Sequence, residues 1–172
     1  QRRANERQLL RPRDIVDRLA ITVVPLTVFF GDEAFLDGVE IDSSTLYERM
    51  KAGKVVPRTS QPSVELFQDA YERVGADGSE IVSIHLSSKL SGTLNSASVA
   101  RDQVVHGDLH IELIDSYTVS LGLGLIVREA AAAAAAGAGL AEVVAVARHA
   151  MDRVSVAILV DTLEYLRKGG RI

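Results

Sequence analysis

An α/β fold is predicted, a mostly parallel sheet with helices on both faces, and three observations predict it. Apolar, β-branched runs at Ile21–Phe30, Ile81–Leu86, His110–Ile114 and Val154–Val160 alternate with segments of helical period. Strands separated by helices need crossover connections, and these lay the helices over the faces of a parallel sheet. A chain of 172 residues with 47% hydrophobic and 24% charged side chains has enough apolar material for one sizeable core.

Residues 1–20 read as a basic, arginine-rich arm with little apolar periodicity. Ile21–Phe30 then has the composition of a buried strand, bent at Pro25 because proline cannot donate to a central ladder. Gly31 and Asp32 make a turn, and Phe35–Ile41 returns as a short strand broken by Asp37 and Gly38. Asp42 or Ser43 caps a helix carrying Leu46, Tyr47 and Met50, which Gly53 ends. Pro57–Ser63 is a polar loop, and Pro62 and Ser63 open a helix with Val64, Phe67, Ala70, Tyr71 and Val74 on one face.

In Ile81–Ala97 an apolar strand gives way to a hydroxyl-rich loop, Ser87–Thr93, and then to a helix marked by Leu94, Ala97, Ala100 and Val104. His110–Ile114 is the next strand, with Asp115, Ser116 and Thr118 at its end. A helix over Val119–Ala136 follows, thin and alanine-rich and suited to close packing, and Gly137–Gly139 ends it. Leu140–Met151 is a further helix, Val154–Val160 a strand, and Thr162–Ile172 leaves the sheet.

Composition narrows the function. With 19 basic and 23 acidic side chains the net charge is −4, so the chain offers no general attraction to nucleic acid or to anionic membranes. The absence of cysteine removes disulfides, thiolate metal sites and cysteine nucleophiles, and fits a cytoplasmic location. The histidines have no HExxH spacing, so neither a metal nor another cofactor is expected. Ile21–Phe30 is too short to span a bilayer, and the alanine-rich segment carries Arg128 and Glu129, so no stable membrane insertion is expected.

The candidate site lies where loops following strands meet helix starts. Ser91, Gly92 and Thr93 stand at one such start, where free backbone N–H groups favour an anion and a glycine admits close approach. Thr59 and Ser60 stand just before another, and two helix starts in one α/β sheet can face one crevice. The loops Ser87–Thr93 and Asp115–Thr118 and the Asp161 region gather along one sheet edge. A nucleophilic hydrolase would need a base, and His85 on its strand reads as a partly buried, satisfied imidazole; GxSxG is absent. A phosphotransferase would draw on Asp115 and Asp161, either of which also suits a helix cap. Binding a carboxylate asks for less: two or three hydroxyl donors, a helix start and one arginine.

The motifs TSQPS at Thr59–Ser63, SSKLSGTLNSA at Ser87–Ala97, IDSYTVSLGLG at Ile114–Gly124 and TLEYLRKGGRI at Thr162–Ile172 resemble the DegV family of bacterial fatty-acid-binding proteins. ITVVPLTVFFGDEAFLDGVEI at Ile21–Ile41 is similar to it as well. The resemblance covers residues 21–172 and implies an N-terminal α/β lipid-binding domain at 21–161, with 162–172 starting an interdomain segment. With a second domain, it would enclose a long-chain fatty acid such as palmitate, stearate or oleate.

By the same resemblance, Thr59 and Ser91 hold the carboxylate and Arg171 lies near the head group. The bound acid is offered to a separate fatty acid kinase that makes an acyl phosphate, and the carrier has no catalytic residue of its own. The family's opening strand and Asp-Ser-Thr loop are not matched by residues 1–20, and its second domain would follow Ile172. Two other readings stand beside the carrier: a hydrolase or phosphotransferase working at the Ser/Thr-rich edge, and an interaction module whose uncovered apolar face forms a homodimer.

Overall fold

The computed structural model describes residues 12–53, 56–104 and 109–172. It has the α/β architecture: a parallel pair of strands with helices on both faces, and a small antiparallel sheet beside it. The parallel strands are β4 (Ile81–His85) and β5 (Ile111–Asp115), in register from Ile81↔Ile111 to His85↔Asp115.

Alternation of side chains across the pleat assigns each face its helices. Ile81 and Ile111 pack with Phe67 and Tyr71 of α3 (Val64–Gly75) and with Ala97, Ala100 and Val104 of α4 (Thr93–Val104). Ile114, with Val82 and Ile84 against it, packs with Ile126 and Ala130 of α5 (Ser120–Ala135) and with Val143, Val144, Ala147 and Ala150 of α6 (Leu140–Arg153). The alanine-rich helix is thus closely packed on α6, as its thin profile predicts.

The antiparallel sheet has the order β2-β1-β3, built from β1 (Thr27–Phe30), β2 (Glu33–Leu36) and β3 (Arg58–Ser60). Val28, Phe30 and Ile41 form its core, with Leu46 and Met50 of α2 (Ser43–Ala52) packed against them. Arg49 lies over the rings of Phe30 and Phe35, 4.7 and 5.0 Å from their centroids, and pairs with Glu33. Asp42 caps α2 by accepting from the Thr45 N–H at 2.8 Å, and Ser63 caps α3 by accepting from Leu66 N–H at 3.3 Å.

Four local expectations change. The strand expected at Ile21–Phe30 is confined to Thr27–Phe30, because the chain up to Pro25 makes no ladder, although Val24 still packs on the α3–α4 core. The return strand begins earlier, at Glu33, and gives way after Leu36 to an isolated bridge between Asp37 and Ile41 around Gly38. Pro57–Ser63 is not wholly loop, since Arg58–Ser60 pairs with β1.

The fourth change is at Val154–Val160, which is no strand: it runs unpaired, with Ile158 66% and Leu159 101% exposed. Its β-branched residues count as strand formers only when paired, and the segment joins neither outer edge of the β4–β5 pair. Of the basic arm, residues 1–11 lie outside the described residues, and Pro12–Arg18 forms a short helix, α1.

Candidate ligand-binding site

Two loops cross the end of the parallel pair and are pinned to one another. Ser116 N–H donates to the His85 carbonyl at 3.0 Å and Ser87 N–H to the Thr118 carbonyl at 2.9 Å. Asp115 accepts from Ser88 N–H at 3.2 Å and from Tyr117 N–H at 3.0 Å. Burial works to raise the Asp115 carboxyl, but bonds from Ser88 and Tyr117 and the nearby His85 outweigh it and hold the group below the usual aspartate range. The expected meeting of the Ser87–Thr93 and Asp115–Thr118 loops is therefore observed. Asp161 is not at a strand end, since it follows the unpaired segment.

Within the first loop, Ser91 N–H closes a turn on the Ser87 carbonyl at 3.2 Å. Ser91 Oγ then accepts from Thr93 N–H at 3.3 Å and lies 2.8 Å from Thr93 Oγ1. Thr93 is only 5% exposed, so its hydroxyl is spent on Ser91. Either hydroxyl can donate across that 2.8 Å contact; when Thr93 donates, the Ser91 proton is left to face a ligand.

The TSQPS loop is anchored from below by buried Pro62 and by the Ser63 cap. Thr59 and Ser60 lie exposed on β3, and Ser60 Oγ donates to the Gln61 carbonyl at 3.2 Å. Arg171 reaches Thr59: its Nη2 donates to Thr59 Oγ1 at 3.3 Å, while Nη1 donates to the Gly169 carbonyl at 3.2 Å. The chain turns toward Thr59 at the end of α7 (Glu164–Lys168), where Gly170 has φ +66° and Arg171 N–H bonds to the Leu166 carbonyl.

These motifs, in this order on this fold, decide the family. The family model described as "Uncharacterised protein, DegV family" matches residues 9–172. The chain belongs to the DegV family. A DegV domain-containing protein of Deinococcus radiodurans is 38% identical over 154 residues, covering 90% of this chain and 54% of that protein. Of solved structures, DegV of Bacillus subtilis, described as a fatty acid binding protein, has a TM-score of 0.83 at 28% identity, over 93% of this chain and 56% of that one.

A second structure, the fatty acid kinase (Fak) B3 protein of Streptococcus pneumoniae loaded with linoleic acid, has a TM-score of 0.66 at 27% identity. That match covers 75% of this chain and 45% of that one. The chain spans about half the length of the DegV relatives it matches.

The DegV residues expected from sequence fall into two connected groups, Thr59, Ser60 and Arg171 on one side and Ser91, Gly92 and Thr93 on the other. Gln61, which the hydroxyl pattern passes over, joins them. Its Nε2 donates to Ser96 Oγ at 3.3 Å, and a Cβ built on Gly92 would stand 2.2 Å from its Oε1. The space that a glycine was expected to leave for a ligand is thus taken, on that side, by the chain's own carboxamide.

Behind the site, Tyr71 OH lies 2.9 Å from Ser83 Oγ, which lies 2.9 Å from His85 Nε2. His85 is 5% exposed and meets Phe67 edge-on. Burial pushes its imidazole down to about 4, against the opposite pull of Asp115. It is the satisfied core histidine that its strand position predicts. Among the described residues no cluster of three metal-ligating side chains occurs, and no helix is long and apolar enough to cross a membrane.

Proposed function

We propose that this chain is the head-group-binding part of a fatty-acid carrier. The carboxylate is received by the hydroxyls of Thr59 and Ser91 beside Arg171, and the acid is offered to a separate fatty acid kinase for acyl phosphate formation. One observation carries the reading: the Arg171 guanidinium donates to Thr59 Oγ1, so the threonine proton is left to donate beside a fixed positive charge. Ser91 is in the same condition when Thr93 is the donor of their hydroxyl pair.

Each hydrogen bond to a charged head group contributes roughly 1.5 to 3 kcal/mol. Each buried CH₂ contributes about 0.8 kcal/mol, so about fifteen of them contribute on the order of 12 kcal/mol before ordering costs. The hydroxyls then set orientation and the apolar tunnel sets affinity. The fatty-acid binding of the Bacillus subtilis relative and the kinase context of the Streptococcus pneumoniae one support this assignment. We assign residues 21–161 to the lipid-binding domain and 162–172 to the segment leading toward a second domain that walls the rest of the tunnel, with 1–20 as a basic arm. A carrier rather than a catalyst also suits His85, whose Nε2 is occupied by Ser83.

The test is to purify the 172-residue chain from a bacterial host, denature it and quantify extracted fatty acids by mass spectrometry. Near-stoichiometric acid is expected, with loss in a Thr59→Ala, Ser91→Ala double variant. An empty wild-type chain, or a fully loaded double variant, counts against the reading. The exposure of Ile158 and Leu159 favours a homodimer through that segment as a second reading, and a monomeric mass in solution at high concentration rules it out.

A further inference from the structure

We infer that Gln61 is a positioning residue: its carboxamide, seated on Gly92 and tied to Ser96, sets the Thr59 loop against the Ser91 turn so that both hydroxyls meet one carboxylate. The inference rests on the carboxylate site proposed above and adds how that site is held together.

The seat is specific. A Cβ at position 92 would lie 2.2 Å from Gln61 Oε1, 2.7 Å from Cδ and 2.8 Å from Nε2, so the whole amide plane rests against the glycine. Nε2 donates onward to Ser96 Oγ at 3.3 Å, in the first turn of α4. Gln61 itself is an exposed residue, so apolar burial does not account for its fixed side chain. Ordering a glutamine side chain gives up rotamer freedom, which offsets much of what one such hydrogen bond contributes. The contact is therefore a poor device for stability. What it does achieve is geometric: Gln61 is two residues from Thr59, and Gly92 adjoins Ser91.

The obstacle at Gly92 is the far end of a flexible side chain, so Gly92→Ala displaces the carboxamide and leaves the fold intact. Gln61→Ala and Gly92→Ala must then have the same consequence, and the double variant must be no worse than either, which is the signature of one shared interaction.

Hydrogen–deuterium exchange on the full chain reads this without any ligand. Each single variant is expected to speed amide exchange in both 58–61 and 91–96 by about tenfold, the scale of one hydrogen bond. Exchange in α5 and α6 and the melting temperature stay unchanged. Unaltered exchange in Gln61→Ala, or additive effects in the double variant, overturns the inference. Palmitate retention is measured on the same samples. If Gln61→Ala loosens both loops and palmitate retention is undiminished, the positioning role is overturned. If both loops loosen and no form of the chain, wild type included, retains palmitate, the Gln61 clamp stands and the carrier reading of this chain fails. Gln61→Glu keeps the length but has no amide proton to give, so it can rejoin Ser96 only by accepting from the Ser96 hydroxyl; with that reversed bond it is expected to keep the exchange protection yet lose palmitate through repulsion between two carboxylates.

Discussion

Arg171 Nη2 donates to Thr59 Oγ1 at 3.3 Å across 112 positions of the chain, joining the end of the KGGRI motif to the start of TSQPS. Both residues are exposed, so the contact contributes little to stability and places a positive charge beside a free hydroxyl proton.

Arg171→Ala is therefore expected to leave the melting curve unchanged, within about 0.5 kcal/mol. It should weaken palmitate binding by about ten- to a hundredfold, the loss of one charge-assisted bond. Arg171→Lys should recover only part of it, because an ammonium lacks the planar fork that donates to Thr59, the Gly169 carbonyl and a carboxylate together. Calorimetric titration with palmitate checks both, alongside thermal melts.

Asp115 is the acceptor that ties the two loops at the strand ends, through Ser88 N–H and Tyr117 N–H. Asp115→Asn should cost about 1 kcal/mol at neutral pH: its Oδ1 can still accept from Ser88 and Tyr117 N–H, but the charge that strengthens both bonds is gone and Nδ2 stands where Oδ2 met Ser88 N–H at 3.4 Å. Its carboxyl is held below the ordinary value of 3.8, so the native state binds its proton later than the unfolded chain does. The stability it adds is present above that value and is lost as pH falls through the lower native one. Denaturant melts of wild type and variant should differ at pH 7 and converge at strongly acid pH.

His85 titrates in a different window. Its native value is near 4 against 6.5 unfolded, so between those limits the unfolded chain binds the extra proton. Stability from this group is whole above about 6.5, declines as pH falls toward 4, and changes no further below it. The span amounts to roughly 3 kcal/mol. His85→Gln should flatten the stability profile between pH 4 and 6.5 and, because His85 is the weakest of the causes that hold Asp115 low, alter the Asp115 region only slightly. An unchanged slope in urea melts over that window would show that His85 is not buried as a neutral imidazole.

Much of this architecture is legible in the residues, for reasons that also explain the exceptions. Ile81–His85 and Ile111–Asp115 carry dense β-branched runs, and their helices carry clean apolar periods, so local pattern and tertiary burial agree. Arg58–Ser60 does not read as a strand, because proline and hydroxyl residues spell a turn and the pairing to Thr27–Phe29 is long-range. Val154–Val160 reads as a strand from propensity alone, yet it pairs with neither open edge of the parallel strands. In the site, the hydroxyls and Arg171 are legible through their motifs. The amide of Gln61 is not, since nothing in its spacing distinguishes a clamp from a solvated side chain until Gly92 is seen beneath it.

The two glycines of the LGLG opening of α5 separate a packing requirement from a propensity cost. A Cβ on Gly122 would stand 2.4 Å from Val156 Cγ2 and 2.6 Å from Thr118 Oγ1, so the helix needs a glycine there to touch both the IDSYT loop and the segment leaving α6. A Cβ on Gly124 would meet nothing within 4 Å. Gly124→Ala should thus stabilise the chain by about 0.5 to 1 kcal/mol, since alanine is the better helix former and no neighbour objects. Gly122→Ala gains the same propensity but must push Val156 and Thr118 aside, and overpacking of this kind costs about 1 to 3 kcal/mol. Melting temperatures that move in opposite directions would establish the close approach at Gly122, and equal rises in both variants would mean that Val156 yields freely.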